Sequence, residues 1–296
     1  MIEVTEKQNC CGCTACVAVC PKNCIEMKED MEGFLYPEVD QSSCIHCNAC
    51  DRVCPILNVK ERKPFEQSAY IVQNKDVEVL RESTAGGAFT AIAKYVIHNS
   101  GVVFGVELNK NLEAHHIYVE DVTELKRFRN SKYVQSSVGG TLRKVKFFLE
   151  QGKTVCFSGT PCQIEGLKCY LKKDYENLIT VDVVCRAVPS PLIFRKYVEL
   201  QKQELEDDIK TVRFRDKYYG YKYSTMNVVT DRNHGNYHQG VESDPWLRAF
   251  FSNICDRPSC HNCHFRNQYR VSDFTIWDCF HAGRFSKELD NDKGAT

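Results

Sequence analysis

The order of apolar and polar positions divides the chain into a short first part and a longer second part. From residue 68 onward, apolar runs of strand length alternate with longer segments of helical period, which is typical of a layered α/β domain. The predicted strands are Ala69–Gln73, Val102–Leu108, His116–Val119, Thr154–Phe157 and Ile179–Val184. The predicted helices are Gly87–His98, Gly140–Gln151, Cys162–Lys172 and Pro191–Glu204.

Shorter alternating runs appear at both ends of this pattern. Past residue 208 the tyrosine-rich runs Val212–Arg215 and Tyr221–Val229, with a turn at Thr230–Asn233, predict a hairpin. In the first part, Ile25–Met27 and Phe34–Val39 are predicted as two short strands, joined by a turn at Glu32 and Gly33. The first part therefore contains a small sheet of its own.

A repeated cysteine motif dominates the first part, which holds ten of the 18 cysteines. Cys-x2-Cys-x2-Cys-x3-Cys-Pro begins at Cys10 and recurs 34 residues later at Cys44. This spacing lets three thiolates cover one [4Fe-4S] cluster while the fourth reaches a second cluster. The predicted ligands are Cys10, Cys13, Cys16 and Cys54 for one cluster, and Cys44, Cys47, Cys50 and Cys20 for the other. Zinc is the alternative, because Cys-x2-Cys is also zinc spacing, but two complete quartets with a trailing Cys-Pro favour clusters. Cys11 and Cys24 fall outside the motif and are predicted to be packing thiols.

Charge separates the same two parts. The whole chain is neutral, with 39 basic and 39 acidic residues, which argues against a nucleic-acid binder. Residues 1–59 carry four basic and nine acidic side chains, so an acidic module precedes a mildly basic body. The charged, proline-ended run Lys60–Pro64 is typical of a linker. The expected domains are 1–59, a linker at 60–67, and a body at 68–296.

No segment is apolar enough to span a membrane, and the chain does not open with a signal peptide. We therefore expect a cytoplasmic protein. In a reducing compartment, so many thiols are metal ligands more often than disulfides.

Two predicted helix starts could bind an anion. Ser83, Thr84, Gly86 and Gly87 place hydroxyls and bare backbone before a helix, where free N–H groups and the helix dipole favour negative charge. An ordinary capping turn is the alternative. The run Ser158–Gln163 follows a predicted strand and precedes a helix, the position where ligands bind in open α/β sheets.

The later cysteines allow more than one site. Cys255-x4-Cys260-x2-Cys263, with Cys279 as a fourth ligand, has the spacing of a plant-type [2Fe-2S] site and equally of a zinc site. Cys162 and Cys185, each after a predicted strand, offer a non-local alternative. Two further cysteines are predicted to be buried packing thiols, Cys156 and Cys169.

These motifs resemble a known family, the beta subunits of coenzyme F420 (deazaflavin) hydrogenases and dehydrogenases, in the bacterial type with a fused two-cluster ferredoxin domain. Residues 8–56 resemble a bacterial two-cluster ferredoxin. The body carries the resemblance in the runs 83–89, 131–136, 157–167, 184–191, 257–265 and 272–276. The resemblance implies an α+β fold: a small ferredoxin-like domain, then a larger α/β flavin-binding domain with a mixed sheet.

The resemblance also implies cofactors and site residues. It implies FAD in the body and a third [4Fe-4S] cluster held by Cys162, Cys185, Cys260 and Cys263, with Cys255 and Cys279 as runners-up. The expected flavin contacts are Ser83, Thr84, Gly86, Gly87, Ser131, Lys132, Tyr133, Gly159, Thr160, Pro161 and Gln163. Lys132 has a solvated surface lysine as its alternative. No catalytic residue is assigned, and His98, His115 and His116 are expected to be surface or core residues.

The expected function is that of an iron–sulfur flavoprotein oxidoreductase, which moves electrons between a hydride-carrying small molecule and the ferredoxin clusters. The small molecule could be a deazaflavin, a nicotinamide or another carrier, and a redox partner protein or complex is expected. The alternatives are a non-enzymatic electron-transfer or docking subunit and a zinc-stapled binding protein.

Three features depart from the family pattern. The family has Cys-His-Gly where this chain has Cys185-Arg-Ala, and a Gly-Asp-Phe-Trp-Gly-like run where this chain has Trp277–His281. The chain also stops at Thr296 where relatives continue, so we expect a member that is short at its C-terminus.

Overall fold

A computed structural model describes residues 1–232 and 237–296. Its first 59 residues form a module with two short helices and a two-stranded antiparallel sheet, in which Ile25 pairs with Val39. The elements are α1 (Ala15–Val19), β1 (Ile25–Glu29), β2 (Leu35–Val39) and α2 (Ala49–Arg52). The Asp30 carboxylate accepts the N–H groups of Glu32 and Phe34, which closes the β1–β2 turn. The predicted small sheet is confirmed.

The body alternates helices and strands as its sequence predicts. Its first elements are α3 (Val77–Glu82), α4 (Ala88–His98), β3 (Val102–Leu108), β4 (Ala114–Val119), α5 (Thr141–Glu150), β5 (Val155–Gly159), α6 (Pro161–Leu171), β6 (Leu178–Val183) and α7 (Pro191–Leu205). The remaining elements are β7 (Ile209–Asp216), β8 (Thr225–Thr230), β9 (Tyr237–Gly240), α8 (Pro245–Phe251), α9 (Pro258–His261) and β10 (Phe274–Ile276). The four predicted helices correspond to α4, α5, α6 and α7.

A five-stranded mixed sheet forms the centre of the body, in the order β10-β6-β5-β3-β4. All neighbouring pairs are parallel except β3 and β4. One face packs against α5 and α6 through Phe104, Leu142 and Leu167, and the other packs against α4 through Val96 and Val103. Both faces are covered, which explains the continuous apolar runs of these strands. The predicted α+β class with a mixed sheet is confirmed.

A second, antiparallel sheet of β7, β8 and β9 packs against α7 and α8 around the buried Trp246. The predicted hairpin runs pair as β7 with β8 through the connection 217–224, and β8 also pairs with β9. Of the turn predicted at 230–233, Asn233 lies outside the described residues.

The predicted strand Ala69–Gln73 is wrong. No helix or strand occupies residues 53–76, a stretch that includes the predicted linker 60–67. In this stretch Val72 exchanges backbone hydrogen bonds with Thr296, at 3.0 Å each way. Asn74 donates to the Gly86 carbonyl at 2.8 Å, so the stretch forms isolated backbone hydrogen bonds rather than a strand ladder. In the part of the chain that is described, no helix is both long and apolar enough to cross a membrane.

The module packs closely on the body. Cys11, Cys13, Ala15 and Val53 belong to the same buried cluster as the α5–α6 face of the large sheet. A Cβ at Gly166 in α6 would lie 2.6 Å from the Cβ of Cys13, so only glycine permits this approach. The Cys13 region is therefore held against the helix that starts at Pro161.

Candidate functional site

The eight cysteines of the repeated motif surround two separate cavities. We name Cys10, Cys13, Cys16 and Cys54 the first thiol set; all four line one cavity. The other cavity is lined by the second thiol set, Cys20, Cys44, Cys47 and Cys50. In each case the trailing cysteine of one motif joins the three leading cysteines of the other. The structure thus brings together the two predicted quartets.

Crowding within the first thiol set disfavours four separate thiolates. Burial, followed by the neighbouring Cys10 and Cys54, raises the pKa of Cys16 to about 12. Four sulfurs in this arrangement become thiolates only around a positive centre. A cluster of iron ions supplies such charge, so the donor chemistry fits an iron–sulfur cluster.

A third cavity is lined by four cysteines that are distant in sequence. We name Cys162, Cys185, Cys260 and Cys263 the third thiol set. Cys162 lies in the first turn of α6, which follows β5, and Cys185 follows β6, the parallel neighbour of β5. Because parallel strands end at the same sheet edge, these two thiols meet there. The other two come from α9, which contains Cys260, and from the residues just after it, which include Cys263.

The raised pKa values in the third thiol set agree with four thiols that lie close together. Burial, and then the neighbouring Cys162, Cys260 and Cys263, raise the pKa of Cys185 well above its usual value. Burial likewise raises the pKa of Cys260 to about 12. This set therefore also fits a group that carries several positive ions.

The alternative ligands lie elsewhere. Cys255 packs against the core around α7, α8 and the antiparallel sheet, and the N–H of Cys279 donates to the Ala295 carbonyl. Neither lines the third cavity. Cys156 is fully buried, and Cys169 packs on the α5–α6 core. Within residues 1–232 and 237–296, no three His, Cys, Asp or Glu side chains converge on a single-ion site, so the thiol sets surround cavities rather than a point.

Two cysteines outside the motifs line the cavities of the thiol sets, and the sequence did not predict this placement. Cys11 lines both the first and the third cavity. Cys24 lines the second cavity, with its sulfur 3.4 Å from that of Cys20. The only sequence signal for either is its position beside or four residues after a motif cysteine.

A much larger cavity, of about 570 Å³, opens beside the third thiol set. Cys185 lines both cavities. Nine of the eleven predicted flavin contacts line the large cavity: Ser83, Thr84, Gly87, Ser131, Lys132, Tyr133, Gly159, Thr160 and Gln163. Its walls combine backbone loops with the aromatic rings of Tyr133, Phe250 and Trp277. A mostly apolar cleft with a few polar groups is typical of a cofactor site.

The other two predicted contacts lie outside this lining. A Cβ at Gly86 would lie 2.3 Å from the Val72 carbonyl oxygen and 2.6 Å from the Thr296 nitrogen, so Gly86 accommodates the neighbouring chain. Pro161 starts α6 and lines the third cavity instead.

Internal hydrogen bonds engage several of the predicted flavin contacts. The Ser83 hydroxyl donates to the Val79 carbonyl at 2.7 Å, and the Thr84 hydroxyl accepts the Ser131 N–H at 2.8 Å. Gln163 accepts the Thr160 N–H at 2.9 Å and donates to the Ser136 hydroxyl at 3.1 Å. The Gln163 amide therefore braces the loop before α6, through its oxygen and one of its two amide hydrogens.

His116 completes that brace as a core residue, as expected. Its Nε2 lies 3.1 Å from the Ser158 carbonyl and its Nδ1 lies 3.3 Å from the Ser136 hydroxyl. The carbonyl requires Nε2–H, so Nδ1 accepts from Ser136. Burial lowers the pKa of His116 to about 4, and the ring stacks on Phe157. A neutral imidazole thus positions the 158–160 loop.

Lys132 supplies positive charge to the large cavity. Its ammonium donates to the carbonyls of Arg127 and Arg129 at 3.1 and 2.9 Å, and no carboxylate in the described residues forms an ion pair with it. Burial, and then the nearby Arg213, lower the pKa of Lys132 to about 7. The Lys132 side chain is half-buried. An anion in the cavity would keep it protonated.

A second polar group at the cavity floor was missed from sequence. The guanidinium of Arg215, which is buried, pairs with the Asp278 carboxylate at 2.6 Å, and Tyr221 donates to the same carboxylate at 3.3 Å. Asp278 belongs to the Trp277–His281 run that departs from the family pattern. This pair fixes the run against β7.

Comparisons with known proteins cover both parts of the chain. Residues 9–57 match the model of the 4Fe-4S dicluster domain. Residues 152–296 match the model of the C terminus of the coenzyme F420 hydrogenase/dehydrogenase beta subunit. The chain therefore combines a 4Fe-4S dicluster domain with a second part that is similar to that beta subunit family. The family match spans β5 to β10 and includes the third thiol set.

Among solved structures, the chain is similar to a chain of the F420-reducing [NiFe] hydrogenase complex from Methanosarcina barkeri. The two chains share 17% identity at a TM-score of 0.47, over 69% of each chain. No curated protein matches the chain. The two family-model matches support a role in redox electron transfer.

Proposed function

We propose that the chain is an iron–sulfur flavoprotein oxidoreductase with three [4Fe-4S] clusters and one FAD. The first and second thiol sets bind the two clusters of the dicluster domain, and the third thiol set binds a further cluster. FAD occupies the large cavity. The resident flavin supplies exchange of two electrons as hydride with an organic substrate and of single electrons with a cluster.

One observation carries this proposal: the cavities are contiguous. Cys185 lines the large cavity and the third cavity, and Cys11 lines the third and the first. Electron carriers in three of these cavities would therefore be separated by single residues. Within the module, the trailing cysteine of each motif belongs to the thiol set of the other motif, which connects the first and second sets.

The chain's own residues position the reaction. The His116–Ser136–Gln163 brace holds the loop between β5 and α6, so that the Thr160 backbone keeps its orientation beside Cys162. Lys132 lies in the wall of the cavity and favours an anionic portion of the bound molecule, such as a phosphate. The Arg215–Asp278 pair holds the rim formed by Trp277 and Phe280.

The second thiol set is the proposed exit toward a redox partner. Cys47 is exposed, whereas Cys20 and Cys50 of the same set are buried. The module carries nine acidic against four basic side chains, which favours a partner with a basic surface. The hydride-carrying small molecule, of deazaflavin or nicotinamide type, would enter at the large cavity.

Anaerobic reconstitution with iron, sulfide and FAD tests the proposal. The chain should bind about twelve irons and one FAD, and Cys260→Ala should lower the count to about eight. Cys255→Ala is the matched control and should keep about twelve. Retention of all iron by Cys260→Ala would exclude the third thiol set as a cluster site. About eight irons and no flavin in the unmodified chain would contradict the oxidoreductase proposal and indicate a ferredoxin with a docking body.

A further inference from the structure

Arg257 is a fully buried arginine between the third cavity and the ferredoxin module. It immediately precedes α9, so its backbone belongs to the segment that carries Cys260 and Cys263. The Arg257 N–H donates to the Val188 carbonyl and its carbonyl accepts the Cys260 N–H, at 3.0 and 2.8 Å. Its side chain extends away from this segment into the module.

The guanidinium is held almost entirely by residues around the first thiol set. Nε donates to the Cys10 carbonyl at 2.7 Å, Nη2 donates to the Leu35 carbonyl at 2.9 Å, and Nη2 lies 3.6 Å from the Cys10 sulfur. Nη1 donates to the Gln135 side-chain oxygen at 2.9 Å. The guanidinium carbon lies 4.3 Å from the centre of the Tyr36 ring.

The chain is shaped to admit this charge. Gly12 lies in the left-handed region at φ +72°, and a Cβ there would come within 3.1 Å of Nη1 and 2.8 Å of the Gln135 amide nitrogen. No carboxylate in residues 1–232 and 237–296 pairs with Arg257. A buried cation needs a compensating negative charge, because desolvation of an unpaired ion is costly.

We propose that Arg257 is the buried counter-ion of the cluster held by Cys10 and that its charge raises the reduction potential of this cluster. A [4Fe-4S] cluster with four thiolates carries net negative charge, which grows by one on reduction. A fixed cation within hydrogen-bond reach of a ligand sulfur therefore stabilises the reduced state more than the oxidised state. The role is one of tuning: Arg257 neither donates nor accepts the electron.

Redox titration of the reconstituted full chain, followed by electron paramagnetic resonance, tests this role. In Arg257→Gln, one couple should show an oxidised-to-reduced ratio about tenfold higher at a fixed potential, a shift of about 59 mV to lower potential for one electron. Arg257→Lys keeps the charge and should change the ratio much less. The matched control is Arg143→Gln: Arg143 also donates to module carbonyls, including that of Cys20, but it is exposed and should leave all couples unchanged.

A second variant offsets the positive charge of Arg257 and leaves the arginine in place. Gln135→Glu places a carboxylate against Nη1 and should also lower the potential of that couple, even if Arg257→Gln fails to take up full iron. An unchanged potential in Gln135→Glu, or equal shifts in Arg257→Lys and Arg257→Gln, would overturn the proposal. It rests on the proposed function only in the ligation by Cys10, which the iron content of Cys10→Ala tests separately.

Discussion

The buried His116 makes the stability of the body depend on pH. Its pKa is about 4 in the folded chain, because burial disfavours the imidazolium, against an ordinary value of 6.5. Between these two values the unfolded chain binds more protons than the folded chain. A histidine whose folded pKa is depressed therefore costs stability as the pH falls below 6.5, and the loss is complete below about 4.

The size of the effect follows from the two pKa values. Between pH 7.5 and pH 5.0, linkage gives a loss of about 2 kcal/mol in the free energy of unfolding from this residue alone. His116→Gln removes the titration. Its free energy of unfolding at pH 7.5 should also be lower, because the contacts to Ser136 and Ser158 are disturbed.

Anaerobic urea denaturation, followed by the fluorescence of the buried Trp246, measures both variants at the two pH values. The unmodified chain should lose about 2 kcal/mol more than His116→Gln over this range. His98→Gln is the control, since His98 is exposed, and it should show the full loss. Equal pH dependence in the unmodified chain and His116→Gln would refute the assignment of a neutral buried imidazole.

Three further predictions concern the cavity, the module contact and the core. Lys132→Met should weaken FAD binding by about tenfold or more in a fluorescence titration, whereas Lys126→Met, on the exposed surface, should not; equal affinities would remove Lys132 from the site. Gly12→Ala should lower the thermal midpoint more than Gly152→Ala, because both glycines have positive φ but only Gly12 is crowded by neighbouring side chains. Equal losses would show that the side chains of Gln135 and Arg257 move aside without cost. Phe157→Ala should cost about 3 to 5 kcal/mol in urea unfolding, and a loss below about 1 kcal/mol would contradict its place in the core.

The repeated motif was informative because local spacing decides its geometry. Each quartet needs only short turns and helices between its members, so the sequence predicted which cysteines surround each cavity of the module. The third set is different. Local spacing grouped Cys255 with Cys260, but a backbone hydrogen bond from Ser190 to the Cys255 carbonyl leaves its side chain in another core. Only the fold, which aligns the ends of β5 and β6, groups the observed four.

The hydrogen-bond partners of the residues that line the large cavity could not be predicted from the sequence. The loops at Ser83 and Thr160 were found because glycines and hydroxyls before a helix have a local signature. Which hydroxyl is engaged depends on tertiary neighbours, as with Ser83 on Val79 or Gln163 on Ser136. The role of Arg257 was not predicted for the same reason, since the hydrogen-bond partners of its guanidinium lie more than 120 residues away in sequence.

The proposed function requires electron transfer between the module and the large cavity. Rapid mixing of the fully reconstituted, oxidised chain with a viologen radical under anaerobic conditions measures it directly, with FAD bleaching recorded against time. We predict that Cys260→Ala, with its FAD and its two module clusters retained, bleaches FAD at least about tenfold more slowly than the unmodified chain, while Cys255→Ala matches the unmodified chain. Equal rates in the unmodified chain and Cys260→Ala would contradict passage of electrons through the third thiol set.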